Sequence, residues 1–136
     1  YKDPLLCIMP KGTKRTGDPE YIEIDEMRHH QFVTQRECTD ADIQNYLKKN
    51  SLDVQSNYHV VDDLSTIAMV ANGFGICLMP EMVMNDIPYD VDTYQVRPDA
   101  YRIIGIAAMN PEFMAPAVRT LYMHVLDKYR QPDLKK

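Results

Sequence analysis

Tryptophan is absent from these 136 residues, phenylalanine occurs three times and glycine only five. No apolar stretch approaches the 18 or so residues of a membrane-crossing helix, and no signal-peptide hydrophobic core is visible, so no membrane role is expected. Five glycines and nine prolines are about a tenth of the chain, too few for a low-complexity or collagen-like protein. Basic residues are outnumbered, 15 against 20 acidic, giving a net charge of −5. DNA affinity draws on Lys and Arg neutralising phosphates, so this polypeptide is not expected to hold DNA by itself. Its basic clusters are short and read as a solvated loop (Lys11, Lys14, Arg15) and tail (Lys135, Lys136).

Cysteine is scarce as well. Cys7, Cys38 and Cys77 lie far apart with no C-x-x-C pair, and two sit in apolar runs. That pattern reads as reduced core thiols of a cytoplasmic protein, with Cys38, in a polar stretch, the one to test for reactivity. What is present is ordinary: 45% hydrophobic and 26% charged residues, in a length near that of one domain. The chain opens on Tyr1 rather than Met and is expected to belong to something longer.

Segment types alternate along the chain. Leu5–Met9 (LLCIM) between two prolines reads as a strand buried on both faces. Residues 11–19 read as a loop, 24–30 as a short helix with Asp25 as a possible N-cap, and 31–35 as a strand. Thr39 is a plausible N-cap for a helix that closes at Lys48, Lys49 and Asn50. After a strand over 57–61, Asp62 and Asp63 open a helix with Leu64, Ile67, Ala68 and Ala71 as its apolar face, stopped by Gly73. A buried strand over 76–79 leads to Pro80 at the first position of a short helix reaching Met84. Strands over 90–96 and 102–108 and a helix over 111–129 follow. The order predicts an α/β fold with a mainly parallel sheet flanked by helices. Such sheets place ligands at the carboxyl ends of strands, which selects two turns, 34–39 and 61–65.

Several constellations could carry chemistry. Gly73-Phe74-Gly75 fails as a dinucleotide fingerprint: position 78 is Leu, and helix precedes strand. It reads as a helix C-cap with tight entry into a strand, or as a backbone contact to ligand. His29 and His30 are neighbours, pointing about 100° apart on a helix, which argues against a shared metal ion. His59 near Asp62 and Asp63 makes a His/Asp pair conceivable, but no G-x-S-x-G elbow supplies a nucleophile. No enzyme, cofactor or metal site is expected. The turn 34–39 combines hydroxyls, an amide and backbone N–H groups at a helix N-terminus. It suits a small anion such as a carboxylate, or is an ordinary cap and loop.

The run VDDLSTIAMVANGFGICLMPEMV, starting at Val61, resembles the helix–turn–strand signature in the C-terminal effector-binding domain of LysR-type transcriptional regulators. Asp63, Ser65, Ile67, Val70, Ala71, Gly73, Gly75, Ile76, Met79 and Pro80 fall in place. Leu5–Pro10, Phe32-Val33-Thr34, Arg102–Ile106 and Met114–Val125 resemble the flanking strands and closing helix. The resemblance implies a type-2 periplasmic-binding-protein-like fold, two lobes joined by two crossing strands with effector between them. Residues 4–100 would be the second lobe and 101–130 a return segment of the first. The first half of that lobe and the winged helix-turn-helix that contacts DNA are absent. The resemblance implies cleft-facing Thr34, Gln35, Cys38 and Thr39, with Gly73 and Phe74 opposite. It also implies a small organic, anionic effector, DNA contact only through the missing N-terminal domain, and a homo-oligomer. The apolar face of the closing helix, with Leu121, Tyr122 and Val125, is expected to pack on the second lobe or a partner chain. An exported solute-binding protein of the same fold is the alternative.

Overall fold

A computed structural model describes residues 1–35, 41–54, 56–110 and 113–129. The chain forms two compact units, one of Asp3–Arg102 and one of Tyr1–Lys2 with Ile103–Lys136.

The larger unit is organised around β1 (Lys2–Pro10). Side chains alternate across a strand, so its LLCIM run feeds two apolar layers. Leu5, Cys7 and Met9 join Ile22, Met27, Phe32, Tyr46, Leu47 and Leu78 on one side. Leu6 and Ile8 join Val33, Ile67, Val70, Cys77 and Met79 on the other. The strand order is β2 (Tyr21–Glu23), β6 (Val91–Arg97), β1, β5 (Cys77–Pro80), with β7 (Tyr101–Ile103) also pairing β1. A second sheet pairs β3 (Val33–Gln35) with β4 (Tyr58–Val60), and a parallel bridge between Phe32 and Ile76 links β3's entry to β5's.

The α/β class stands, but the sheet is mixed rather than mainly parallel. β1 runs antiparallel to both β5 and β6, whereas β2–β6 and β3–β4 are parallel. A continuous apolar run reports burial on both faces, which a central strand has whichever way its neighbours point. The register also separates the thiols: Cys77 lies opposite Ile8, and Cys7 opposite Leu78, so the two cysteines face opposite layers. Burial pushes the Cys7 thiol up to about 12 and the Cys77 thiol well above its ordinary range. Cys38 lies outside the described residues.

Helix ends show where local signals held. α1 is only Ile24–Met27; its N-cap is Glu23, without a side-chain bond, and Asp25 lies in the first turn. The chain then tightens, with His29 and His30 donating three residues back to Glu26 and Met27, which ends the helix early. α2 spans Ala41–Lys49, and the proposed Thr39 cap falls outside the described residues. Its C-terminus closes without glycine: Ser51 takes φ 51°, and Leu52 N–H donates to the Leu47 carbonyl at 2.9 Å. α3 (Asp63–Ala71) is capped by Asp62, whose carboxylate accepts the Ser65 N–H at 2.8 Å. Its inward face is Thr66, Ile67 and Val70, while Leu64 is exposed. With apolar residues nearly all round α3, the sequence could not orient it, and docking on the sheet did. Pro80 is the N-cap, not the first residue, of a 3-10 turn over Glu81–Met84.

The loop before β2 is mostly exposed, Lys11 and Lys14 included, as expected, but Arg15 pins it. The Arg15 guanidinium donates to both Glu26 carboxylate oxygens, at 2.6 and 2.8 Å, and to the Tyr21 carbonyl at 2.7 Å. It also lies 4.0 Å from the centre of the Tyr94 ring.

The last strand is shorter than expected, ending at Ile103, and in the smaller unit the helix begins later, as α4 (Pro116–Tyr129). Tyr129 packs its ring edge-on to Tyr1 at 6.2 Å. No residue of α4 is buried: Leu121 is 61% exposed and Tyr122 and Val125 are half-buried.

Candidate functional site

β3 and β4 are parallel, so both deliver their carboxyl ends to the same side, β3 leading toward α2 and β4 into the first turn of α3. This is where an α/β sheet forms a ligand crevice. A recess lies there, lined by the apolar Phe32, Val33, Leu47, Leu78 and Met79 and by the polar Thr34, Gln35, Gln44 and Thr66. Its volume of about 20 Å³ admits a water molecule or one functional group of a ligand, not a whole drug-sized molecule.

Three of the polar lining groups are themselves hydrogen-bonded. The Gln35 side-chain amide donates to the Asp63 carboxylate, joining the end of β3 to the first turn of α3. The Thr66 hydroxyl donates to the Asp62 carbonyl at 2.8 Å. Thr34 Oγ1 lies 3.3 Å from the Tyr58 carbonyl and 3.2 Å from His59 Nδ1. His59 is thus partnered by a threonine hydroxyl rather than by the carboxylates that followed it in sequence. The Ser65 N–H bond holds the Asp62 carboxyl below its usual range. Among the described residues no group of three or more His, Cys, Asp or Glu side chains could hold a metal ion.

Of the six residues selected from sequence, the structure brings Thr34 and Gln35 together at the recess. Cys38 and Thr39 lie outside the described residues. Gly73 and Phe74 do not line it. They close α3, Gly73 at φ 81° donating to the Val70 carbonyl and Phe74 to that of Met69, so the glycine serves the C-cap. The Phe74 ring packs edge-on to Tyr58 at 5.5 Å, beside the start of β4 rather than its carboxyl end. Thr66 and Gln44 were not selected. For Thr66 a signal existed: it stands one residue beyond the second turn picked out by the strand-end rule. Gln44 carries no such mark in a helix of mixed polarity.

Residues 1–130 match the family model described as the LysR substrate binding domain. A curated relative, the probable HTH-type transcriptional regulator LrrA of Synechococcus elongatus, is 23% identical over 119 residues, covering 86% of this chain and 40% of the relative. The regulatory domain of Synechocystis PCC6803 CcmR, solved with 2-PG, superposes with a TM-score of 0.70 at 13% identity, covering 94% of this chain and 64% of that one. The effector-binding domain of QuiR, solved with shikimate, gives 0.70 at 12% identity, covering 95% and 62%. The chain thus spans under half of the curated relative and under two-thirds of either solved domain. These matches favour the regulator over the exported solute-binding alternative. Among the described residues no helix is long and apolar enough to cross a membrane. The fold is the α/β, type-2 periplasmic-binding-protein-like one of LysR effector-binding domains, and the chain belongs to the LysR substrate-binding domain family.

Proposed function

We propose that this chain is the ligand-sensing part of a LysR-type transcriptional regulator acting in the cytoplasm as a homo-oligomer. A small organic anion binds at the recess where β3 and β4 meet α2 and α3. One observation carries this reading: Thr34, Gln35 and Thr66, held by backbone and by Asp63, converge on a group-sized recess at the strand ends, in a chain matching the family model over residues 1–130. The positive ends of α2 and α3 favour a carboxylate there. Cys38 and Thr39 are assigned to the same site from sequence alone. Regulation follows if the ligand binds one arrangement of the lobes better than another, because a ligand equally bound by both shifts nothing. DNA contact belongs to a domain outside this chain.

Residues 4–100 make the second lobe, and 101–130 complete a first lobe whose other half is the stretch that the solved domains have and this chain lacks. That half is the cover for α4. A thermal-shift screen against small organic acids tests the reading. Stabilisation by at least one acid, weakened by Thr34→Val, is expected; a response unchanged in Thr34→Val moves the site elsewhere.

A further inference from the structure

A hydroxyl has one hydrogen, and once that hydrogen is given to the protein only lone pairs remain for a ligand. The Thr66 hydroxyl gives its hydrogen to the Asp62 carbonyl at 2.8 Å. The Thr34 hydroxyl lies 3.3 Å from the Tyr58 carbonyl, which can only accept, and 3.2 Å from His59 Nδ1. A protonated Nδ1 donates to Thr34, and a bare one competes with Tyr58 for the Thr34 hydrogen. In either tautomer that hydrogen stays within the protein. The Gln35 amide faces the Asp63 carboxylate. A carboxylate only accepts, so the amide turns its NH2 group to Asp63, and its Oε1 is the end remote from that charge.

The recess therefore offers a ligand the lone pairs of Thr34, Gln35 and Thr66. Gln44 can present either end of its amide, and the other lining side chains are apolar. A carboxylate placed among lone pairs would lose its hydration without compensation, whereas a donor finds acceptors ready. The volume of about 20 Å³ suits one such group.

Granted that the recess is the effector site, we propose that it takes the hydrogen-bond donor of a substituted organic acid, a hydroxyl or an ammonium group, and that the carboxylate lies outside it. The ligand class narrows from organic acids to hydroxy and amino acids. Thr34, Gln35 and Thr66 select the donor, and Asp63 is the positioning residue that orients the Gln35 amide.

Calorimetric titration of the intact protein with matched acids tests this. Succinate, malate and aspartate share a skeleton and differ at one carbon by hydrogen, hydroxyl and ammonium; propionate, lactate and alanine do so on a shorter one. Within a set, the hydroxy or amino acid is expected to bind about tenfold more tightly than its unsubstituted parent. Whichever of the two wins distinguishes hydroxyl from ammonium. Thr66→Val removes one acceptor, and the Asp62 carbonyl still has the main-chain N–H of residue 66, at 3.1 Å, as its partner. That variant should lose most of the preference while binding the parent acid about as well as wild type does. Parent acids bound as tightly as substituted ones, or both weakened alike by Thr66→Val, would overturn the donor assignment and leave the site in place. A preference unchanged in both Thr66→Val and Thr34→Val, or binding by none of these acids, would overturn the site itself and the proposal with it.

Discussion

Gly75 lies against the Gln31 carbonyl so closely that a Cβ on residue 75 would collide with it, and its φ of 147° is one that few other residues adopt. The same carbonyl accepts the Ile76 N–H at 2.8 Å, and Val33 N–H returns a bond to the Ile76 carbonyl at 2.9 Å. This is how β3, which carries Thr34 and Gln35, is aligned with the central sheet. Gly73, two residues earlier, also has a positive φ, but the space around it is open.

The two glycines should therefore respond differently. Gly73→Ala meets only the left-handed backbone cost of about 1 kcal/mol. Gly75→Ala adds a main-chain collision and is expected to lose about 3 kcal/mol or more. Urea denaturation of both variants measures this, and equal losses would contradict the close-approach account.

The Arg15–Glu26 pair predicts a limb of the pH–stability curve. The Arg15 guanidinium holds the Glu26 carboxyl below its ordinary value of 4.5. A carboxyl lowered in the folded state adds stability above its unfolded value, and that stability is lost as pH falls through the folded value. Unfolding free energy should thus begin to drop near pH 4.5 and continue downward, and Glu26→Gln should flatten that part of the curve. An acid limb identical in the two proteins would show that other carboxylates carry it.

Much of the larger unit was legible before any coordinates. LLCIM marked the central strand, Asp62 the start of α3 and Gly73 its end, because each is set by a local rule: two-face burial, an N-cap bond, a left-handed residue. Strand direction was not legible, since β1 is equally buried beside antiparallel neighbours. Nor was the facing of α3, where Leu64 and Ile67 are equally apolar and only the sheet beneath distinguishes them. At the recess, the strand-end rule had marked the turn that starts at Thr34 and Gln35, both of which line it, and the turn next to Thr66. Phe74 was attached to the site as part of the Gly73-Phe74-Gly75 turn and by the resemblance, and the chain places its ring on Tyr58.

α4 carries a prediction about what completes the smaller unit. Val118, Leu121 and Met123 are exposed on a helix with no buried residue. Leu121→Glu should leave the stability of this 136-residue chain nearly unchanged and reduce its self-association, read by light scattering. In a protein extended to the full length of the solved domains, the same substitution buries a charge and should cost about 3 kcal/mol or more. A large loss in the short chain, or none in the extended one, contradicts the assignment of residues 101–130 to a shared lobe.

The central claim is that the recess at the carboxyl ends of β3 and β4 is the effector site. Calorimetric titration tests it most directly, using the intact regulator and the organic acid that stabilises it most, with wild type, Thr34→Val and Gln35→Ala compared. Wild-type binding weakened at least tenfold by each substitution, about 1.4 kcal/mol, is the predicted result. Affinities within twofold of wild type in both variants, with the folds intact, would contradict it.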